Sequence, residues 1–173
     1  TATGTAVYLK AIVDDMTLQS GTTYLTATTI NNSLLITNPA AVDIASGCTL
    51  TGDITITGGS CESDSQHNTL EVKDGLWTQS DADCTTLNMY GGTYKWNAAQ
   101  HTLTAATVHG GFLNCGADPN PKTISAITLG ARGKLNLNNG NANIIIENGI
   151  TTYGGQIEFS PGSRMMVSPV EIP

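Results

Sequence analysis

Two apolar residues one apart, followed three positions later by a glycine, recur along this chain. The series runs Ile54/Ile56–Gly59, Leu70/Val72–Gly75, Leu87/Met89–Gly92, Ala106/Val108–Gly111 and Ile144/Ile146–Gly149, with Ile127/Leu129–Gly133 fitting after one inserted residue. The glycines at 59, 75, 92, 111, 133 and 149 are spaced 16, 17, 19, 22 and 16 residues apart. Two residues beyond each glycine stands a second apolar column, Cys61, Trp77, Tyr94, Leu113 and Leu135, with Thr151 as the exception. A period of this size is too short for paired helices and matches one coil of a β-solenoid.

Side chains on a strand alternate between its faces, so the residue between each apolar pair should point outward. Those residues are Thr55, Glu71, Asn88, Thr107, Thr128 and Ile145, polar in every case but the last. An in-out-in strand ending at glycine is a strand that turns, because glycine takes φ > 0 at no steric cost. One such strand carries too little apolar surface to fold alone. Stacked about 4.8 Å apart, successive coils share a continuous core and pair their backbones with the coils above and below. The pattern predicts an all-β, single-domain parallel β-helix of roughly eight coils, 16–22 residues each, over residues 16–160. Upstream, the register reaches back through Leu34/Ile36 and Met16/Leu18. Eight coils stack to a rod about 35–40 Å tall.

Polar, turn-rich stretches at 61–67 and 114–121 read as loops leaving one corner. The asparagines at 136, 138, 139, 141 and 143 suit turns and amide ladders between coils. Ahead of the solenoid, residues 1–15 form a cap or docking arm around the apolar run Ala6–Val13. An exposed strand edge invites pairing, so Val7, Tyr8, Leu9, Ile12 and Val13 are the candidate partner-docking residues. At the other end, residues 161–173 form a C-terminal cap or extension, because Pro161, Pro169 and Pro173 stop further coils from adding. The apolar Met165-Met166-Val167 within it is placed to pack on the last coil or on a neighbour.

Charged residues are only 12% of the 173, and the net charge is −7. No basic stripe is present to neutralise phosphates, which argues against nucleic acid. No apolar run approaches the length of a membrane span. No secretory leader pattern is read in the chain; processing of a leader or removal of an initiator methionine would each account for a start at Thr1. Cys48, Cys61, Cys84 and Cys115 lack zinc-ligand spacing and are read as reduced, structural thiols, Cys61 in the core column. No cofactor motif is found.

Nor does the sequence assemble a catalytic constellation. Asp81 and Asp83 could act as an acid/base pair or bind calcium, but read as a solvated turn before Cys84, as do Asp14-Asp15 and Glu62/Asp64. His67, His101 and His109 stand far apart, with His109 next to a glycine corner and facing solvent. The pairs Thr49/Thr51, Thr55/Thr57 and Thr102/Thr104 would suit ice binding only if repeated in one column. One coil after Thr55/Thr57 the positions hold Glu71 and Lys73 instead.

The repeats Ile54-Thr-Ile-Thr-Gly-Gly, Leu87-Asn-Met-Tyr-Gly-Gly-Thr-Tyr and Thr107-Val-His-Gly-Gly-Phe-Leu are similar to the strand, Gly-Gly, strand coils of short β-solenoid proteins of tailed bacteriophages. Those proteins resemble pectate-lyase-type parallel β-helices and occur as capsid decoration (cement) proteins, head fibres and spikes. The resemblance covers roughly residues 34–160. It implies a non-enzymatic virion protein at the capsid surface, a homo-oligomer partnered by the major capsid protein or another virion protein. Lyase-type catalytic Lys/Arg and clustered calcium carboxylates have no counterpart among these residues. The alternatives are a tail spike or fibre domain that binds or depolymerises a surface glycan, or an extracellular bacterial adhesin. A glycan binder should line its aromatics along an exposed groove, whereas Trp77, Tyr94, Trp96 and Phe112 fall in or beside the core columns.

Overall fold

The computed structural model describes residues 6–97, 101–116, 119–138, 144–159 and 165–167. Within them the chain is all-β, a parallel solenoid of about seven turns. Its strands are β1 (Ala6–Leu9), β2 (Ile12–Leu18), β3 (Thr22–Leu25), β4 (Thr29–Ile36), β5 (Ala41–Ile44), β6 (Thr49–Leu50), β7 (Asp53–Ser63) and β8 (His67–Gln79). They continue as β9 (Cys84–Met89), β10 (Thr93–Trp96), β11 (Thr102–Asn114), β12 (Lys122–Asn136), β13 (Ile144–Ile146), β14 (Ile150–Thr152), β15 (Gln156–Glu158) and β16 (Met165–Val167).

Pairing wraps these strands around three faces. On the first, β2, β4, β7, β8, β9, β11, β12 and β14 stack in that order. Their inward pairs are those of the repeat, and Leu34/Ile36, Ile54/Ile56, Leu70/Val72 and Leu87/Met89 are all buried. The second face carries the post-glycine column, where Cys61, Trp77, Tyr94, Leu113 and Leu135 lie one above another. A third face escapes the repeat rule. Its inward column runs Val13, Ile30, Leu50, His67, Cys84, Leu103, Ile124, Ile146.

Three sequence expectations need correcting. Ile144 and Ile146 belong to the third face, paired with Lys122 and Ile124. The last first-face strand is β14, with Ile150 and Thr152 beside Ile127 and Leu129. Thr151 therefore points outward, and the second-face column continues at Ile157 beside Leu135. Next, the stretch expected to loop out at 61–67 is strand as far as Ser63. The expected loop at 114–121 does fall between β11, which ends at Asn114, and β12, which begins at Lys122. Finally, the run at 6–9 is in register, Val7 opposite Thr23 and Leu9 opposite Leu25, so it is a level of the solenoid rather than a segment ahead of it. At the far end Met165–Val167 pairs with β13. Pro161, Pro169 and Pro173 lie outside the described residues.

The corner between first and second faces is tight because successive glycines stack there. Gly92 has φ +64°, and a Cβ on it would stand 2.6 Å from the Gly75 carbonyl oxygen of the coil below. Gly133 is needed for space alone: its Cβ would lie 2.3 Å from Val108 O, where β11 and β12 shift register. Opposite, the corner between second and third faces varies from two residues (10–11) to seven (115–121 and 137–143). There Asn136 Nδ2 donates to Asn114 Oδ1 at 2.9 Å, one rung of the expected amide ladder. Asn139, Asn141 and Asn143 lie outside the described residues.

Candidate functional site

Two regions expose chemistry that a stacked core does not use, the first coil and the variable corner. In the first coil, Leu9 and Val13 point inward and are half-buried against the core. The other candidates face water: Val7 is 42%, Tyr8 70% and Ile12 79% exposed. Tyr8 stacks on Tyr24 of the next coil, ring centroids 4.8 Å apart and 14° from parallel. β1 pairs with β3 and β2 with β4 on one side; no described strand pairs with their other edges.

The variable corner holds a groove of about 510 Å³ lined by Cys48, Asp64, Gln66, Asn68, Asp81 and His101 among others. Burial beneath it fixes its shape. The Gln79 side chain is fully buried, accepts the Trp77 indole N–H at 3.0 Å and donates to Ser65 O and to the carbonyls of Asp81 and Ala82. Ala82 turns the chain in the left-handed region, φ 67°. This brings together residues that the sequence keeps apart. His101 Nε2 lies 2.6 Å from Asp81 Oδ1, and His101 Nδ1 lies 3.3 Å from Asp83 Oδ1. Asp83 Oδ1 also accepts the Thr102 N–H at 2.7 Å. The turn expected at Asp81–Asp83 is present, but it is stapled to the next coil through a histidine that spacing did not connect to it.

The groove's carboxylates differ. Asp81 is held low by the Ala82 N–H and then by the His101 hydrogen bond. Asp64 is pushed up, first by burial and then by Asp43, Glu62 and Asp81. Elsewhere the carboxylates serve inter-coil hydrogen bonds. Asp14 accepts from Asn31 at 3.0 Å, Asp15 from Ser33 at 2.6 Å and Glu62 from Ser80 at 2.7 Å. Among the described residues no three His, Cys, Asp or Glu side chains are placed to hold a metal ion. All four cysteines are free thiols. Burial pushes Cys84 and Cys115 up to about 12 and raises Cys61 as well, which disfavours the thiolate at all three.

His67, expected at the end of the 61–67 loop, instead opens β8. It is buried in the third-face column, its Nδ1 3.2 Å from Ser65 O and its ring edge-on to Trp77 at 5.2 Å. Nε2 is buried without a partner, and burial pushes the imidazole down to about 4. A signal for this column did exist. Its members stand three or four residues before the first inward residue of each coil: Leu50 before Ile54, His67 before Leu70, Cys84 before Leu87, Leu103 before Ala106.

Compared with family models, curated proteins and solved structures, the chain finds no match.

Proposed function

We propose that this chain is a non-enzymatic structural protein of a virion, a β-helical decoration (cement) protein or head knob of a tailed bacteriophage. It sits on the capsid surface through its first coil, with the major capsid protein or another virion protein as partner and copies of itself as neighbours. The observation that carries this reading is the first coil. A parallel strand edge with Val7, Tyr8 and Ile12 turned to water is a template for strand addition and is costly to leave bare. The Gly-Gly coil style supports the phage assignment. The protonated thiols and the carboxylates engaged between coils favour a structural role over a catalytic one.

The test is immunogold labelling and co-sedimentation of particles purified from the source, using protein with Tyr8→Asp and Ile12→Asp as comparison. Wild type should decorate particles, and the double variant should remain folded by circular dichroism yet fail to bind. A chain absent from particles, or a double variant that binds as wild type does, overturns the reading.

A further inference from the structure

The corner between first and second faces carries on its outside a line of residues that neither core nor turn requires. In successive coils the position after the inward pair is Lys73, Tyr90, His109, Gly130 and Tyr153. Tyr90 is 49% exposed and Tyr153 71%, and His109 is exposed as well. The Tyr90 and His109 rings stack 5.0 Å apart and 18° from parallel, forming a rigid two-ring platform. The next rung is missing. Gly130 and Ala131 occupy it, and Tyr153, whose N–H donates to Leu129 O at 2.8 Å, stands one coil further on. His109 and Tyr153 are thus two coil steps apart, about 9.6 Å. One ring inserted there at the spacing of the Tyr90–His109 pair, 5.0 Å from each neighbour, fits that interval.

Beside the gap stands Arg132, paired in register with Gly110. It is exposed and has no ion-pair partner among the described residues. Lys73 at the lower end is tied to Glu71 at 2.9 Å. The acid of this corner, Asp74, sits three coils below Arg132 with its Oδ1 on the Gly75 N–H. The cation nearest the gap is therefore unneutralised, on a chain whose net charge is −7.

We propose that this strip binds an acidic saccharide, one sugar ring filling the missing rung between His109 and Tyr153 and its carboxylate meeting Arg132. Aromatic faces hold sugar rings through their apolar C–H surfaces, and a guanidinium takes a carboxylate bidentately. A nucleotide would also offer a ring and an anion. The acidic net charge and the few cations beside the gap, Arg132 and the exposed Lys134 among the described residues, disfavour a polyphosphate, whose binding scales with the number of cations supplied. The inference goes beyond the virion reading and does not depend on it.

Calorimetric titration of the full chain with short oligogalacturonates tests the proposal, with their methyl esters and a single-stranded oligonucleotide as comparisons. Binding should occur, weaken with salt, and fall about tenfold in Tyr153→Ala and in Arg132→Gln, the loss expected for one stacked ring or one charge-assisted contact. Ala131→Phe, which fills the rung from the protein side, should abolish binding while leaving both rings in place. Asp81→Asn, at the opposite corner, should leave affinity unchanged. No binding of the oligogalacturonate, equal binding of the methyl ester, tighter binding of the oligonucleotide, or unaltered affinity in Ala131→Phe would each overturn it.

Discussion

The coils up to β7 and those from β8 onward fill one interior with different chemistry. Below, the core is mainly aliphatic, Leu25, Ile30, Leu34, Ile36, Ile44, Leu50, Ile54 and Ile56, with Thr23, Thr28 and Ser63 as its small buried polar members. Above, the same columns admit His67, Trp77, Gln79, Cys84, Tyr94, Trp96 and Lys122, all buried. The first and second faces stay paired from β7 to β8, with register shifts confined to the corner between Ile56 and Ser60. Stacking supplies the hydrogen bonds of the main chain in both, so the side chains are free to differ provided each polar atom finds a partner. Gln79 meets that condition through four contacts. His67 Nε2 and the Tyr94 hydroxyl do not. Both regions add inter-coil hydrogen bonds to burial, Thr28 Oγ1 to Leu9 O and Ser33 to Asp15 among the lower ones, but only the upper core carries large polar and aromatic side chains with a few unmet costs.

A charge placed in either region breaks both most severely. Ile56→Asp in the aliphatic part and Leu87→Asp above it should each prevent folding, because an unpaired charge in a dry stack costs more than a marginally stable domain can lose. Thr55→Asp and Asn88→Asp, their outward neighbours, should cost under about 1 kcal/mol. Thermal melts of the four variants decide the register; equal losses in the inward and outward sets would refute it.

Acidification separates the two regions. A histidine held neutral in the folded state and lowered from 6.5 to about 4 leaves the unfolded chain binding more protons between those values. Stability conferred by His67 staying neutral is full above about pH 6.5 and is lost as pH falls towards 4, by roughly 3 kcal/mol at the bottom of the window. His67→Leu should flatten that part of the profile. Melting temperatures across pH 4–7 that fall equally in wild type and variant would place the acid sensitivity elsewhere.

Corner glycines give a smaller contrast. Gly92→Ala must find room 2.6 Å from a carbonyl at positive φ and should cost about 1–3 kcal/mol. Gly47→Ala, whose nearest atom would be 3.7 Å away, should change stability by no more than about 0.5 kcal/mol. Urea midpoints for the pair measure the difference. Smallest of all is Asp81→Asn. It removes an exposed, solvent-screened contact to His101 and should change stability by only about 0.2 kcal/mol. Neither it nor the wild type should release reducing ends from polysaccharide; release by wild type that the variant loses would make this corner catalytic.

The first two faces were legible because each contributes either two inward residues per coil or one beside a fixed glycine. The third contributes mostly one, and where that one is His67 or Cys84 hydrophobicity gives no sign of it. Ile144-Ile145-Ile146 followed by Gly149 satisfied the pair-plus-glycine rule from the wrong face, since a third-face strand before a turn has the same local pattern. The four-residue step from Ile146 to Ile150, the same as that from Leu50 to Ile54, would have exposed the slip. The His101 contacts to Asp81 and Asp83 were illegible for another reason. They join residues one coil apart across a corner whose length varies, so no fixed spacing encodes them.

That variable corner also sets where such a chain can change over evolutionary time. Extending it leaves both flanking strands in register, because their pairing is fixed by the coils above and below rather than by the connection. Each doubling of a flexible connection adds only about 0.6 kcal/mol of closure entropy. New sequence, and with it new specificity, can therefore accumulate along one edge of the rod, while the glycine edge, where carbonyl and Cα meet at contact distance, admits almost none.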